Sequence, residues 1–480
     1  MPHNRLLPVT LALLISGCVV GPDYQAPSRD SLGVDLPEHF HEGERSNARA
    51  YSDRAFWEGF QDPILADLID RALEQNRTLE AGVARYERAA ALLGAARSER
   101  WPQLNAQSNA AEQYPADVER FGVGADRIET YQVGAAATWE LDLFGRLKRN
   151  TEARQAQLGE TRADLQALQV AAVGELARSY FELRGLQQQR AVAQESIANL
   201  EQSLDIVRAR RDAGEATLFD DLRAQTQLEA TRALLPDIES GIHARLQRVA
   251  VLTGQAYGPL HAQLTNNAPL PTQLPNIPVG TPADVLLRRP DVRAAERRLA
   301  GATAEIGVST AELFPRLSLR GFIGSVAGDT SELFNAGSES RSVSLGVDWT
   351  LLDVGGNRAR VRASNAEARA ALSDYEQTLL EALAETETLL VRYDRGQERT
   401  QSLNASTVAA DRAAELARSR YELGYHSYFE VLDAERALIE TREALVRSRT
   451  DEVLTMVGLY RALAGAPDVP QVTEATTQSR

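Results

Sequence analysis

The chain has 480 residues, a single cysteine, and 52 Lys plus Arg against 67 Asp plus Glu, for a formal net charge of −15. That balance argues against a nucleic-acid binder, which carries a basic face to offset phosphates, and one cysteine excludes an intramolecular disulfide framework or any multi-cysteine zinc or iron–sulfur site. Aromatic residues make up only 6% and hydrophobic residues 43%, largely alanine and leucine, so long, closely packed helices fit better than a bulky compact core. The length admits several domains or one elongated architecture.

In chain order, Arg5, the apolar run 6–15 and the small residues Ser16 and Gly17 precede Cys18. The run is well short of the roughly 20 apolar residues of a membrane span, so residues 1–17 read as a secretory signal. Ile15, Ser16, Gly17 and Cys18 resemble the bacterial lipobox, in which the cysteine is acylated and becomes the first mature residue; an ordinary signal with a cysteine near the cut is the alternative. Acyl chains there would hold the protein to a membrane at about 0.8 kcal/mol per buried CH₂. A proline-bearing arm follows over 21–37.

Residues 103–111 and 130–142 alternate with period two. In the second, Tyr131, Val133, Ala135, Ala137, Trp139 and Leu141 share one face, and Gln132, Gly134, Thr138, Glu140 and Asp142 share the other. A proline-free stretch then runs over 146–213, where Ala193, Ile197, Leu200, Leu204 and Val207 step by four and three, the spacing of a coiled-coil seam. Gly214 supplies a helix stop, and a new helix is predicted from Leu218 to about Thr253. The stretch 265–282 carries five prolines and reads as an ordered, irregular strap.

The pattern then returns. Trp139, Leu141 and Gly145 reappear as Trp349, Leu351 and Gly355, and Gly214, Phe219 and Asp220 match Gly424, Phe429 and Glu430, all 210 positions later. Strands are predicted over 316–323 and 342–351, a long helix over 357–423, a stop at Gly424, and a return helix from Tyr428 to about Ala464. The chain is a duplicated unit of two strands, a long helix and a shorter helix. The predicted parts are an N-terminal arm over 18–64, a first repeat over 65–254, the strap over 255–282, a second repeat over 283–465 and a tail over 466–480.

The short strands match a transmembrane β-barrel or a soluble layer packed on helices. If they span a membrane, four per chain cannot close a barrel, which needs at least about eight, and open edges cannot face lipid. The chain would then have to oligomerise around a shared barrel.

Several landmarks resemble one family: Cys18 followed by Gly21, Pro22, Asp23 and Tyr24; Phe56, Trp57, Phe60, Asp62 and Pro63; the junction from Trp139 to Gly145; and Leu432, Asp433, Ala434 and Arg436. The chain is similar to the TolC/OprM-like outer-membrane efflux factors, in particular the NodT-like lipoprotein channels of resistance-nodulation-division (RND) systems. The resemblance implies a mainly helical fold with membrane β-structure, a homotrimer sharing a twelve-stranded barrel and a twelve-helix periplasmic tunnel, and an equatorial collar built from the strap and both termini. It further implies a periplasmic adaptor and an inner-membrane RND-type pump as partners, contact with outer-membrane lipid, and an outer-membrane location, which Val19 after the cysteine favours. By the same resemblance Phe429 and Asp433, one helical turn apart, form the periplasmic gate, with Arg436 supporting it, and the turns at Gly214, Gly424 and Tyr425 are the adaptor-contact tips. Phe429 stands where the family more often has an aliphatic residue, which implies a bulkier plug.

No enzyme is expected. The six histidines include no pair at metal-ligand helical spacing, Gly122 and Gly124 lack the strand-to-helix context of a phosphate loop, and the adjacent Asp220 and Asp221 diverge on a helix. No cofactor is expected beyond a covalent lipid on Cys18. The rival from another class is a lipid-anchored periplasmic coiled-coil scaffold or adaptor without a pore.

Overall fold

A computed structural model describes residues 19–28, 33, 37, 39–40, 53–116, 127–265, 268–275 and 281–463. Cys18 and the signal segment, Gly122 and Gly124, and the tail beyond residue 463 lie outside the described residues. The chain divides into two compact units, each assembled from three separate stretches and each drawing on both sequence repeats.

The first unit comprises the chain to Leu32, Arg85–Arg162 and Ala294–Glu376. It holds one antiparallel sheet in the order β1 (Gln103–Gln113), β2 (Ile128–Leu141), β3 (Arg316–Ala327) and β4 (Glu339–Asp348). Register fixes which side chains share a face, because directly paired residues point the same way. Trp139 pairs with Leu319 and Leu319 with Leu345; Ala137 pairs with Gly321 and Gly321 with Val343; Leu104 pairs with Ala137. These residues form one apolar face, and Leu104, Ile323, Val343, Leu345 and Val347 are exposed on it. The opposite face carries Gln103, Thr138, Arg320 and Ser344 in one row. On that face Gly134 and Gly324 pair, and a Cβ on either would meet the Phe322 ring within 3 Å, so the two glycines make room for an aromatic ring lying across the sheet.

Strand ends follow the prolines. β1 begins just after Pro102 and β3 just after Pro315, where the ladder loses a donor. For this reason β4 ends at Asp348, paired with Arg316, and the prediction of strand through 351 is corrected: Trp349 would face Pro315. Trp349 instead donates its indole N–H to the Leu313 carbonyl at 3.2 Å, as Trp139 donates to Arg100 at 3.0 Å. The two repeats close the foot of their strands the same way.

Below β2, Asp142 accepts from the Leu147 and Lys148 amides at 3.0 and 2.8 Å. It thereby satisfies first-turn donors of the long helix α4 (Arg146–Asp212), which continues from this unit into the second. The arm after Cys18 is bound at the same place. Val20 N donates to Phe144 O at 3.2 Å, and Arg149, only 3% exposed, donates to the Val20 and Gly21 carbonyls at 3.2 and 3.1 Å and to Asp23 at 2.7 Å. Tyr24 donates to the Glu296 carboxylate.

The second unit comprises Gly33–Ala84, Ala163–Arg293 and Gln377–Arg480. Its largest core gathers Phe56, Trp57, Phe60, Phe181 and Tyr460 with leucines and valines from several helices. Phe56 lies on the short helix α1 (Asp53–Glu58) and stacks on Tyr460 at 4.9 Å between ring centroids. Asp62 caps α2 (Pro63–Gln75) by accepting from Ile64 N and Leu65 N, and takes the Tyr180 hydroxyl at 2.6 Å. The Phe56 to Pro63 motif is thus a packing and capping device. Asn76 caps α3 (Arg77–Ser98) and ties it to Leu252 O at 2.9 Å.

Two short helices, α5 (Leu218–Arg232) and α6 (Leu234–Leu252), follow α4 where one was predicted. Pro236 forces the break: with no N–H and a bulky ring it fits the first turn of a helix but not its interior. The strap contains α7 (Tyr257–Leu264) at its start, its last residue opens α8 (Pro282–Arg288), and residues 268–275 between them have no regular structure. α9 (Pro290–Ala311) leads to β3. After β4, the second long helix α10 (Val354–Glu422) has 69 residues against 67 in α4, and its return helix α11 (Tyr428–Leu463) is unbroken.

Candidate gate at the paired helical turns

Within the second unit both long helices end in the same turn. Gly214 has φ +81 and Gly424 φ +80, the left-handed region where a Cβ is penalised. At the first turn Glu215 N donates to Arg210 O at 2.8 Å and Gly214 N to Arg211 O at 2.9 Å; at the second Tyr425 N donates to Arg420 O and Gly424 N to Tyr421 O, both at 2.9 Å. This double closure satisfies the last carbonyls of each helix. The following helices start alike. Thr217 and Asp220 form a reciprocal capping box on α5, and on α11 Ser427 N donates to Glu430 at 3.1 Å. Asp220 is therefore a cap, and Asp221 pairs with Arg208 and Arg211, so neither is left for acid–base chemistry.

Beneath the turns lies a core of Leu200, Leu204, Val207, Ala224, Leu228, Val431 and Leu432 with Tyr421 and Tyr428. Arg210 lies over the Tyr421 ring and donates to the Tyr421 carbonyl, joining the two hairpins. Ser203 donates to Glu435 at 2.7 Å from α4, and Arg418 approaches the same carboxylate at 3.8 Å from α10. Glu435 is 4% exposed and its second oxygen has no partner. Burial pushes its pKa above the usual glutamate value, against the opposing pulls of Ser203 and Arg418.

Phe429 is 54% exposed, and its counterpart Phe219 is 65% exposed on α5. Asp433 is exposed and makes no hydrogen bond or ion pair among the described residues. Its neighbouring arginines are occupied elsewhere: Arg436 donates to Gln227 at 2.6 Å, bridging α11 to α5, while Arg418 turns to Ala414 O and Glu435. Of the tip residues, Tyr425 is 78% exposed, whereas Arg211, Glu215 and His426 are held by Asp221, Arg210 and Glu430.

Sequence reasoning missed Arg223. Its guanidinium carbon lies 5.3 Å from the Phe219 ring centroid and 4.9 Å from that of Phe429. The signal was available in the repeat itself, since Arg223 stands 210 positions before Asp433. No group of three or more His, Cys, Asp or Glu able to hold a metal occurs among the described residues, and no described helix is long and apolar enough to cross a membrane.

Comparison with known proteins identifies the architecture. The family model for the outer membrane efflux protein matches residues 68–255 and again 281–465. The solvent efflux pump outer membrane protein SrpC of Pseudomonas putida is 31% identical over 97% of this chain and 99% of its own length. The cation efflux system protein CusC of Escherichia coli K12 is 29% identical over 97% of this chain and 100% of its own length. Among solved structures, the outer-membrane channel OprN superposes with a TM-score of 0.86 at 36% identity, covering 93% of this chain and 99% of that one. A CusC structure gives a TM-score of 0.80 at 25% identity, covering 93% of this chain and 100% of that one. The chain belongs to the outer membrane efflux protein family and has its TolC-like fold.

Proposed function

We propose that three copies of this chain close into one outer-membrane channel that passively conducts cargo delivered by a periplasmic adaptor and an inner-membrane RND-type pump. The observation that carries this reading is the open sheet. β1 and β4, 11 and 10 residues long, each pair on one side only, and the apolar face is exposed. Unpaired edges are untenable in lipid, so each β1 must meet the β4 of a neighbouring copy. Two copies reach the minimum of about eight strands; the family resemblance favours three and twelve.

The paired turns are read as the periplasmic entrance, with Phe429 and Asp433 at its constriction and Gly214, Gly424 and Tyr425 at the adaptor contact. The partnerless, exposed Asp433 supports this reading, as does the exposed Phe429. Acylation at Cys18 fits the arm, because Val20, two residues on, is bonded at the strand-to-helix junction, where the membrane surface would lie. The relatives' names cover solvents and cations, which suits a conduit whose cargo is chosen by its pump and which has no catalysis of its own.

Planar-bilayer recording of the detergent-extracted protein tests this reading. Stepwise conductance from a heat-resistant oligomer is expected, whereas a monomer without conductance would leave the scaffold as the better reading. Intact-mass measurement should show an acylated N-terminus that Cys18→Ser loses.

A further inference from the structure

Near the paired turns two charged residues at matching positions of the repeats stand without an ion pair among the described residues. On α5 Arg223 makes no ion pair among the described residues and is instead clasped between the rings of Phe219 and Phe429 at 5.3 and 4.9 Å. On α11 Asp433 makes no ion pair either. The four residues form a matched set: Phe219 and Phe429 are 210 apart, as are Arg223 and Asp433, and within each helix the aromatic and the charge are one turn apart. The repeats therefore supply the same aromatic and opposite charges.

We propose that Arg223, held by this aromatic clasp, is a selectivity-determining residue of the entrance, where its positive charge offsets the negative charge of Asp433. The inference rests on the channel reading above and changes what the constriction is. An entrance built from Asp433 alone would be a purely anionic ring, which attracts cations. With Arg223 held against the Phe429 ring, one helical turn from Asp433, each copy contributes one charge of each sign. Two aromatic faces hold a guanidinium through their ring quadrupoles without neutralising its net charge, which a carboxylate partner would do. Arginine also suits the position better than lysine, since its planar group can stack on a ring. The rings then have a second task besides obstruction, which is to keep that charge in place.

Reversal potentials across planar bilayers in a potassium chloride gradient test the proposal, using full-length protein and the variants Arg223→Met, Arg223→Lys, Asp433→Asn and the double variant Arg223→Met with Asp433→Asn. Arg223→Met is expected to raise the potassium-to-chloride permeability ratio about two- to fivefold. Asp433→Asn should lower it by a similar factor, the double variant should return close to the parent, and Arg223→Lys should stay near it. If Arg223→Met leaves the reversal potential unchanged while Asp433→Asn shifts it, Arg223 is a packing residue and the proposal is overturned with the channel reading intact. A parent protein that gives no conductance defeats the channel reading, and this inference falls with it. Oligomer yield of each variant on native gels separates a change in selectivity from a failure to assemble.

Discussion

In the first repeat the helix that returns from the glycine turn stops at Arg232 and restarts at Leu234, while in the second the equivalent helix runs unbroken from Tyr428 to Leu463. One residue accounts for this, since Pro236 stands where the second repeat has Val446, which is buried. Nearby register positions differ in kind as well. Asp221, tied to Arg208 and Arg211, corresponds to the core residue Val431; Arg223 corresponds to Asp433; and Gln225 corresponds to the buried Glu435. The turns themselves are the same, with matching glycine conformation and matching hydrogen bonds. Duplication has kept the backbone device and let the side chains diverge, so each repeat holds its end of the hairpin by different means: ion pairs at Asp221 in the first, and apolar packing with one buried carboxylate in the second.

The sharpest way to break this comparison is to move the proline. Val446→Pro puts into the middle of α11 the interruption that the first repeat places at a helix start. It is expected to cost about 3 kcal/mol or more and to lower the melting temperature of the assembled protein markedly. The reciprocal Pro236→Leu should change stability by less than about 1 kcal/mol. Circular-dichroism melts of both variants make the test, and equal losses would contradict the assignment of the break to Pro236.

A smaller effect is expected from Ser203→Ala, which removes the hydrogen bond donated to the buried Glu435 carboxylate and should cost about 1–3 kcal/mol. Amide hydrogen exchange should quicken in peptides around 200–207 and 428–440, and not at the turn of the first repeat around 214–221. Glu435 also predicts a sign. With its folded pKa raised, the folded state holds the proton more tightly than the unfolded state does. Its contribution therefore favours folding at acid pH and declines as pH rises from the ordinary glutamate range through the raised value. Glu435→Gln should flatten that decline, and hydrogen exchange at two pH values, corrected for intrinsic rates, measures it. An unaltered pH dependence would contradict the cause given.

The smallest effects concern what the repeats share. Gly214→Ala and Gly424→Ala each place a Cβ on a left-handed residue and should each cost about 1 kcal/mol. Similar losses in thermal melts would confirm equivalence of the turns, whereas a loss at only one of them would show that the shared geometry is not equally strained.

Much of this was legible in the sequence because the signals are local. Period-two alternation set the faces of β2 and β4, and the observed register joins those faces across four strands. Gly214 and Gly424 marked helix ends because only their conformation lets the chain turn there. The end of β4 was not legible from β4 itself, since it depends on Pro315 in the partner strand. The break at Pro236 was visible as a proline but masked by an apolar helical spacing that continues on both sides of it. Arg223 and Glu435 carry no local signature: one depends on α5 and α11 lying side by side, the other on burial between three helices. At the candidate gate the sequence offered Phe429 and Asp433 by resemblance, while Arg223 was marked only by its place 210 positions before Asp433 and its contact with the Phe429 ring by geometry.

The central proposal is that the chain shares one channel with two copies of itself, because its open sheet cannot stand alone in a membrane and the family resemblance favours three. Native mass spectrometry of the detergent-extracted protein tests it most directly. The account predicts a particle of three chains that persists when detergent is exchanged, and a stable single chain as the dominant species would contradict it.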